Sequence, residues 1–268
     1  MPVKGIDEEK CSGCGQCLNE CPTLNFRMDE GKKKAVFSPL ACMGCGHCIA
    51  ICPEDAIIYK GMKDEALSFG GVLDPSTLIQ HDTMYRFMRA KRSVRQYKKK
   101  KIPKEELEKI IDIMRYAPTG SNIRQMKCLV ISDDEKIKTL GDAVSNALKS
   151  SMPAAYTGMF DRKKEGGIEP IFFGAPHVLI LHSSNLGDSM NAAIAITYGM
   201  LYAETLGISS CWNGLSYAVL ASNPEVRKDI AGINDKVLAV MTVGYSAVKY
   251  TRAPPRPPIR TKGLKELD

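Results

Sequence analysis

One cysteine-rich run occurs twice near the start of the chain and constrains the fold more than any other feature. The run reads C-x2-C-x2-C-x3-C-P, first over residues 11–22 and again over residues 42–53. It uses eight of the ten cysteines, which are Cys11, Cys14, Cys17, Cys21, Cys42, Cys45, Cys48 and Cys52. Two residues between thiolates let one tight loop aim three sulfurs at three corners of an iron–sulfur cubane. The repeat therefore predicts two [4Fe–4S] clusters and a chain that moves single electrons.

Two other uses of clustered cysteines fit this sequence less well. Structural zinc sites favour separated C-x2-C pairs over four cysteines in one run. Disulfides need an oxidising compartment, and the first ten residues are polar and charged, without the apolar stretch of a secretory leader. The longest apolar region, residues 192–206, is short and contains Glu204, so we expect no membrane span. These features predict a cytoplasmic protein with reduced thiols.

The two runs resemble those of two-cluster ferredoxins, in which the fourth cysteine of each run ligates the cluster of the other run. The resemblance implies one cluster on Cys11, Cys14, Cys17 and Cys52, and another on Cys42, Cys45, Cys48 and Cys21. We expect the fourth cysteine of each run to start a helix. Residues 1–60 are predicted to form a small ferredoxin-like domain of short strands, which the clusters hold together because so short a piece has little core.

The basic charge of the chain is smaller than its composition indicates. The formal net charge is +7. Eight thiolates and two clusters with a 2+ core would lower it to about +3. The charge alone therefore gives little reason to expect a nucleic-acid partner.

Residues 61–82 are predicted to be a linker followed by an entry helix. Three glycines mark the linker. Asp74 followed by Pro75 is typical of an N-cap and a first helical position, so we expect a helix from there to about Arg89.

Two more helices and three strands are predicted beyond the linker. Pro103 opens a helix whose apolar residues recur at i, i+3, i+4 and i+7 (Leu107, Ile110, Ile111 and Met114). Residues 190–206 are apolar nearly all round, which is typical of a helix buried centrally or against a second subunit. Three short runs follow the pattern of fully buried strands: 128–131, 178–181 and 237–243.

Two regions are predicted to lack regular structure. Residues 141–176 have no clear period, and residues 161–167 are expected to form a charged loop that serves as a lid or insertion. The proline-rich residues 253–258 should run extended over a surface.

Four short segments, in their order and spacing, resemble those of the nitroreductase family of FMN flavoproteins. They are KRSVRQY (91–97), APTGSNIRQ (117–125), LGISSCWNG (206–214) and VGY (243–245). The resemblance covers residues 83 to about 260. It implies for residues 83–268 an α+β fold, with a nitroreductase-like three-layer α-β-α FMN domain. The whole chain resembles a nitroreductase fused to a two-cluster ferredoxin domain.

The first of these segments is where the family resemblance places the FMN phosphate and ribityl chain. Lys91, Arg92 and Ser93 offer positive charge and a hydroxyl donor, which suit a terminal phosphate. Arg95 is implied to lie near the pyrimidine side of the flavin, where its charge would favour the reduced anion. A second phosphate contact is expected from a basic residue in the tail. Arg256 is the first choice for it, ahead of Arg252 and Lys249.

The other segments are implied to contact the flavin ring. Pro118, Thr119 and Asn122 match a family segment that reaches the ring from the partner subunit, with threonine here in place of the usual serine. The family often continues Gln-Pro-Trp after it, whereas this chain has Gln-Met-Lys. The stretch Trp212, Asn213 and Gly214 corresponds to the segment whose backbone approaches the flavin N5.

A basic run overlaps the first segment and has an ordinary explanation. Eight of the thirteen residues 89–101 are lysine or arginine. Such runs are usually solvated surface, and that is our interpretation of residues 98–101.

The favoured function is an FMN-dependent oxidoreductase with a built-in electron inlet. Two [4Fe–4S] clusters would pass electrons through FMN to a small organic acceptor of the nitroaromatic, quinone or enone type. The expected partners are a second copy of the chain, as a homodimer, and reduced ferredoxin or NAD(P)H as electron donor. One alternative is a non-catalytic electron carrier that serves a protein partner. Another is a redox-sensing nucleic-acid binder, which would rest only on the basic run.

Overall fold

The computed structural model describes residues 2–39, 41–62, 64–71, 74–185 and 187–263. The chain divides into two compact units. The first is Met1–Pro75 with Ala117–Gln125, and the second is Ser76–Tyr116 with Met126–Asp268. A short segment from the middle of the sequence, Ala117–Gln125, therefore belongs to the unit that carries the cysteine runs.

The first unit contains two small antiparallel sheets and two five-residue helices. Its elements are β1 (Val3–Ile6), α1 (Gln16–Glu20), β2 (Phe26–Asp29), β3 (Lys34–Phe37), α2 (His47–Ile51) and β4 (Ile57–Tyr59). Strand β1 pairs with β4, and β2 pairs with β3. Among the described residues of this unit, eight hydrophobic ones form the buried core, and three of them are cysteines of the two runs. The short-stranded form predicted from the sequence is confirmed.

The fourth cysteine of each run ends a helix, so the prediction that it starts one was wrong. Cys21 follows α1 and Cys52 follows α2, both with extended backbone (ψ 109° and 114°). Each is followed by proline, which disfavours the helical conformation in the residue before it. The helices begin instead after Gly15 and Gly46, whose φ values of 74° and 80° lie in the left-handed region.

The second unit is built on one four-stranded antiparallel sheet. Its elements are α3 (His81–Ala90), α4 (Lys104–Ile113), β5 (Lys127–Ile131), α5 (Asp134–Ser151), α6 (Ala154–Glu165), β6 (His177–Ser183), α7 (Asp188–Thr205), β7 (Ser209–Trp212), α8 (Gly214–Ser222) and β8 (Lys236–Gly244). The strand order is β5-β6-β8-β7. The three predicted strands are confirmed as β5, β6 and β8. Strand β7 was not predicted, because Ser209–Trp212 lacks a run of apolar residues.

Helices cover both faces of this sheet. Val178, Ile180 and Val240 share a core with Leu140 of α5 and Leu220 of α8. Alternate residues of a strand point to opposite faces. The intervening side chains of β6 and β8 therefore face the other way, and they are also fully buried. Helix α7 packs against β6, β7 and β8. The result is a layered arrangement of helix, sheet and helix.

Helices α4 and α7 agree with the sequence. Pro103 precedes α4, and Ile110, on its apolar stripe, is fully buried. Helix α7 ends before Gly207, whose φ of 70° places it in the left-handed region that glycine adopts without strain. The Ile208 N–H then donates to Ala203 O (2.9 Å) and closes the helix end.

Two predictions about helices were wrong. Residues 141–176 are not irregular, because α5 and α6 fill most of that stretch and residues 161–165 lie inside α6. Helix α5 starts at an N-cap, where Asp133 Oδ1 accepts the Lys136 N–H (2.9 Å). The entry helix is also broken. Pro75–Thr77 forms a single 3₁₀ turn, and α3 begins only at His81, after Leu78 and Ile79.

The remaining segments are short or extended. Further turns of 3₁₀ helix lie at Met114–Tyr116 and Gly120–Asn122, and a π-helical turn lies at Val226–Ile230. Residues 251–260 have no helix or strand, as predicted for the proline-rich tail. In the part of the chain that is described, no helix is long and apolar enough to cross a membrane.

Candidate cluster and flavin sites

The eight cysteines of the two runs surround two separate cavities in the first unit. Each cavity contains three cysteines from one run and the fourth cysteine of the other. The first is lined by Cys11, Cys14, Cys17 and Cys52. The second is lined by Cys21, Cys42, Cys45 and Cys48. This is the grouping that crossed ligation requires, and ligation itself stays a prediction.

The pKa of Cys17 reflects the same grouping of thiols at the first cavity. Burial raises the pKa of the Cys17 thiol to about 11, and negative charge on Cys11, Cys14 and Cys52 adds to this. A buried thiolate beside three others is costly unless a cation compensates it. Iron would supply that charge, because a coordinating thiol is deprotonated.

At the second cavity, the pKa of a buried thiol is raised for the same reasons. Burial raises the pKa of Cys48 to about 11, with Cys45, Cys21 and Cys42 contributing in that order. Among the described residues, no group of three or more His, Cys, Asp or Glu side chains converges on one metal ion. A cubane does not require such convergence, because each thiolate binds a different iron atom. The donor set of each cavity, four thiols, fits a [4Fe–4S] cluster.

The sulfur of Cys21 accepts more hydrogen bonds than that of Cys52. The Asn25 N–H lies 3.3 Å from Cys21 Sγ, the Asn25 amide nitrogen lies 3.7 Å away, and Thr23 Oγ1 lies 3.8 Å away. Burial alone would raise the pKa of Cys21, but these hydrogen bonds outweigh it and lower the pKa. At Cys52, the described residues offer one such bond, from the Ala56 N–H at 3.3 Å. Sequence reasoning did not single out Asn25.

Segment Ala117–Gln125 is hydrogen-bonded to the loop of the second cysteine run. Asn122 Nδ2 donates to Met43 O (3.0 Å) and Gly44 O (2.9 Å). Both Ser121 and Asn122 have left-handed φ values, of 51° and 54°, which are uncommon for residues other than glycine. The carboxamide of Asn122 therefore holds this segment to the residues between Cys42 and Cys45.

The other two predicted residues of this segment have different surroundings. Thr119 Oγ1 is buried and has no hydrogen-bond partner within the described residues. Pro118 is exposed. An orphaned hydroxyl of this kind can bind a ligand, so Thr119 remains a candidate.

Lys91 is held internally by three acceptors. Its Nζ lies 2.7 Å from Arg92 O, 2.9 Å from Ser210 O and 3.0 Å from Glu204 Oε1. The two carbonyl contacts are hydrogen bonds, and the contact with Glu204 is an ion pair. Lys91 therefore ties its loop to β7 and α7, and its contact with phosphate stays a prediction.

The rest of the loop has donors that its own fold does not use. Arg92 Nη2 donates to Arg89 O, but Arg92 Nε is buried and has no partner among the described residues. Ser93 is exposed. Val94 N–H donates to Ser210 O (3.2 Å), and the Ser210 hydroxyl at this junction is likewise buried and unpaired within the described chain. These free donors fit an anionic group.

Arg95 is positioned by an aromatic ring rather than by a carboxylate. Its guanidinium carbon lies 5.8 Å from the centre of the Phe173 ring, and Lys163 Nζ lies 5.4 Å from the same ring. Phe173 itself has a left-handed φ of 61°. Neither Phe173 nor Ser210 was singled out from the sequence, because only the fold brings them beside residues 91–95.

The Trp212–Gly214 stretch joins β7 to α8. Asn213 is buried: its Oδ1 accepts the Ser216 N–H (3.0 Å), and its Nδ2 donates to Ile171 O (2.6 Å). The Asn213 side chain is therefore an N-cap and a tether. Gly214 is exposed at the first position of α8, and the structure shows no acceptor for its N–H among the described residues. The Gly214 N–H is therefore available for a backbone contact to a ligand.

The structure thus brings together three of the four predicted flavin segments: residues 91–95 meet residues 209–214 at Ser210, and Val243 and Gly244 pair with Ser210 and Ser209 in the sheet. Arg256 lies in the exposed tail, as do its two alternatives. Residues 118, 119 and 122 belong to the first compact unit. The residues that hold FMN stay a prediction.

Two family models match separate stretches of the chain. A model described as "Nitroreductase family" matches residues 88–245, and one described as "4Fe-4S dicluster domain" matches residues 4–53. Iodotyrosine deiodinase from Thermotoga neapolitana is 22% identical over 132 residues, which cover 47% of this chain and 71% of that protein.

Solved structures show the same fold. A nitroreductase with bound FMN from Desulfitobacterium hafniense superposes with a TM-score of 0.56 at 18% identity, covering 67% of this chain and 97% of its own. A nitroreductase with bound FMN from Bacteroides fragilis gives 0.52 at 25% identity, covering 66% and 98%. The fold and the cysteine cavities therefore define an oxidoreductase of the nitroreductase type with an N-terminal 4Fe-4S dicluster domain. The chain belongs to the nitroreductase family, whose members are FMN flavoproteins.

Proposed function

We propose that this protein is an FMN-dependent enzyme that accepts single electrons at two [4Fe–4S] clusters and delivers them to a small organic acceptor. The observation that carries the proposal is the sorting of eight thiols into two sets of four, in the same chain as a nitroreductase fold. A cluster carries one electron, whereas FMN accepts electrons singly and can release a pair. The fusion therefore couples a one-electron supply to two-electron chemistry.

We assign the cluster ligands by cavity. Cys11, Cys14, Cys17 and Cys52 would hold one cluster, and Cys21, Cys42, Cys45 and Cys48 the other. Their support is the geometry of the cavities and the mutual influence of the thiols within each set. Cys11, Cys17 and Cys48 are buried, whereas Cys14 is exposed and the other four are half-buried.

For FMN, we propose that the chain supplies binding and orientation. Arg92 and Ser93 would bind the phosphate, and Arg256 would add a second cation from the tail. Arg95 would place positive charge beside the ring, and the Gly214 N–H would face its reactive edge. Lys91 would act chiefly by holding the loop in shape. FMN-bound structures of the same fold support FMN as the cofactor, and the unused donors of residues 91–95 support the choice of residues.

We also propose a cytoplasmic homodimer. One face of α7 is apolar and exposed, at residues spaced four apart: Met190 (78% exposed), Ile194 (39%) and Tyr198 (40%). Such a stripe favours burial against a second subunit. A reducing compartment would suit the ten unpaired thiols. Ferredoxin and NAD(P)H both remain candidate donors.

Metal and flavin analysis of anaerobically purified protein tests the core of the proposal. We expect about eight iron atoms and one FMN per chain. Zinc in place of iron, or about four irons, would overturn the two-cluster assignment. If the photoreduced protein reduces small acceptors directly, it is an enzyme. If it delivers electrons only to a protein partner, it is an electron carrier.

A further inference from the structure

The backbone around the fourth cysteine is the same in both halves of the repeat. Three residues after Cys21, Leu24 has a φ of 53°, and three residues after Cys52, Asp55 has a φ of 48°. The Leu24 N–H donates to Cys21 O (3.2 Å), and the Asp55 N–H donates to Cys52 O (3.5 Å). The two turns can therefore be compared position by position.

The next residue is where the two halves differ. Asn25 and Ala56 each donate a backbone N–H to the sulfur of the fourth cysteine, in both cases at 3.3 Å. Asn25 also adds a side-chain donor, with its amide nitrogen 3.7 Å from Cys21 Sγ, beside Thr23 Oγ1 at 3.8 Å. The methyl group of Ala56 has no donor to offer Cys52.

Asn25 is fixed in this position. It is 1% exposed, and its Nδ2 also contacts Thr23 Oγ1 (2.5 Å). Its Oδ1 accepts the N–H of Ala41 (3.2 Å), the residue before Cys42. The side chain therefore bridges the two loops that carry cysteines of the same cavity.

Charges near the other cavity do not decide the comparison. Glu54 lines the first cavity, where a negative charge would disfavour reduction. Lys34 Nζ donates to Cys11 O in the same region and acts in the opposite sense. The hydrogen bonds to sulfur are the difference that remains.

We propose that Asn25 is a tuning residue that makes the two clusters unequal, with the Cys21, Cys42, Cys45 and Cys48 cluster reduced at the higher potential. Hydrogen bonds to a ligand sulfur stabilise the more negative, reduced cluster. Reduction adds one electron from a low-potential one-electron donor, and no bond is formed or broken. This inference rests on the proposed ligation by two sets of four cysteines.

Redox titration of the holoprotein followed by EPR tests the inference. The wild type should show two one-electron couples. Asn25→Ala should lower the reduction potential of the higher couple and leave that of the lower couple unchanged. Loss of one hydrogen bond should change the equilibrium constant for reduction about tenfold, which is about 59 mV for a one-electron couple.

Two further variants separate tuning from simple disruption. Ala56→Asn adds the missing amide in the other half, so it should raise the lower couple and leave the higher one in place. Asn25→Asp keeps the shape and the acceptor oxygen, removes the donor and adds a negative charge, so it should lower the higher potential by more than Asn25→Ala does. If both reduction potentials are unchanged in all three variants, this inference is wrong but the two-cluster function is not affected. A single couple with about four irons in the wild type would overturn the two-cluster function as well.

Discussion

His177 is a histidine that the fold keeps neutral. Its Nε2 accepts the Ile102 N–H (2.9 Å), and its Nδ1 lies 2.7 Å from Ser132 Oγ. Because a backbone N–H can only donate, the ring proton must be on Nδ1. Burial, and then the nearby Lys101, lower the pKa of His177 to about 4. The imidazole therefore joins the start of α4 to the end of β5 as an uncharged group.

This predicts a pH-dependent stability in a defined window. Between pH 6.5 and about 4, His177 is protonated in the unfolded chain but not in the folded protein. The free energy of unfolding therefore decreases as the pH falls through this range. The slope should be roughly 1.4 kcal/mol per pH unit for this one group. Urea unfolding of wild type and His177→Gln at pH 7 and pH 5 measures it. The variant should lose less stability on acidification, whereas His81→Gln, at an exposed site, should behave as wild type. Equal losses in all three proteins would contradict the prediction.

The phosphate donors make a second prediction at this scale. Arg92→Ala or Ser93→Ala should weaken FMN binding about tenfold to a hundredfold, because a charge-assisted hydrogen bond contributes roughly 1.5–3 kcal/mol. Iron content should not change. Quenching of FMN fluorescence on binding measures the affinity, and Lys99→Ala, exposed in the same basic run, is the control. An unchanged affinity in both test variants would place the phosphate elsewhere.

At the scale of elements, pairs of variants can test whether the cysteine after α1 and the cysteine after α2 each bind the cluster of the other run. Cys21→Ala and Cys45→Ala should lose the same cluster and leave the same residual EPR spectrum. Cys52→Ala and Cys14→Ala should both leave the other spectrum. Cys128→Ala, a thiol outside the runs, should keep both clusters. If Cys21→Ala instead matches Cys14→Ala, each run holds its own cluster.

The exposed face of α7 predicts the oligomeric state. Ile194→Glu should shift the protein from dimer to monomer in sedimentation experiments, because it places an unpaired charge in an apolar contact. Asn146→Glu, on the exposed side of α5, should not. A dimer that survives Ile194→Glu would show that α7 lies outside the interface.

Elements with a strong local signal could be predicted from the sequence. Helix α4 has a proline at its start and a clear apolar stripe, and β6 and β8 are continuous apolar runs. Strand β7 could not be predicted, because Ser209 and Ser210 become strand only by pairing with β8. Helix α5 had a usable signal that was overlooked: Ile137, Leu140, Val144 and Leu148 are buried on one stripe after an N-cap.

The candidate sites divide in the same way. The spacing of the cysteine runs alone indicated both sets of thiols. The loop at residues 91–95 could be located, but not the pairing of Lys91 with Glu204, because that contact depends on how α7 packs. The role of Asn25 also needed the fold, since a single asparagine carries no pattern.

At the scale of the whole molecule, electrons should enter at the clusters. Cubane clusters with four cysteines are usually of low potential, and positive charge from Arg95 should raise that of the flavin. In anaerobic stopped-flow experiments, reduced ferredoxin should therefore bleach the cluster absorbance first and the flavin absorbance afterwards. Cys11→Ala combined with Cys42→Ala should abolish ferredoxin-driven turnover and retain FMN. Full activity in that variant would mean that the clusters are not the inlet.

The two hydrogen bonds of Asn122 have a consequence for how such a fusion could arise or be rebuilt. Asn122 lies within the stretch that matches the nitroreductase family, yet its carboxamide binds carbonyls within the stretch that matches the dicluster domain. A nitroreductase cut free of residues 1–82 would keep two left-handed residues and an amide that has lost both acceptors. The dicluster stretch and the nitroreductase stretch therefore cannot be exchanged independently of each other. Exchange of either half for a homologue should therefore require an asparagine at residue 122 and an unchanged backbone between Cys42 and Cys45, because both acceptors are main-chain carbonyls.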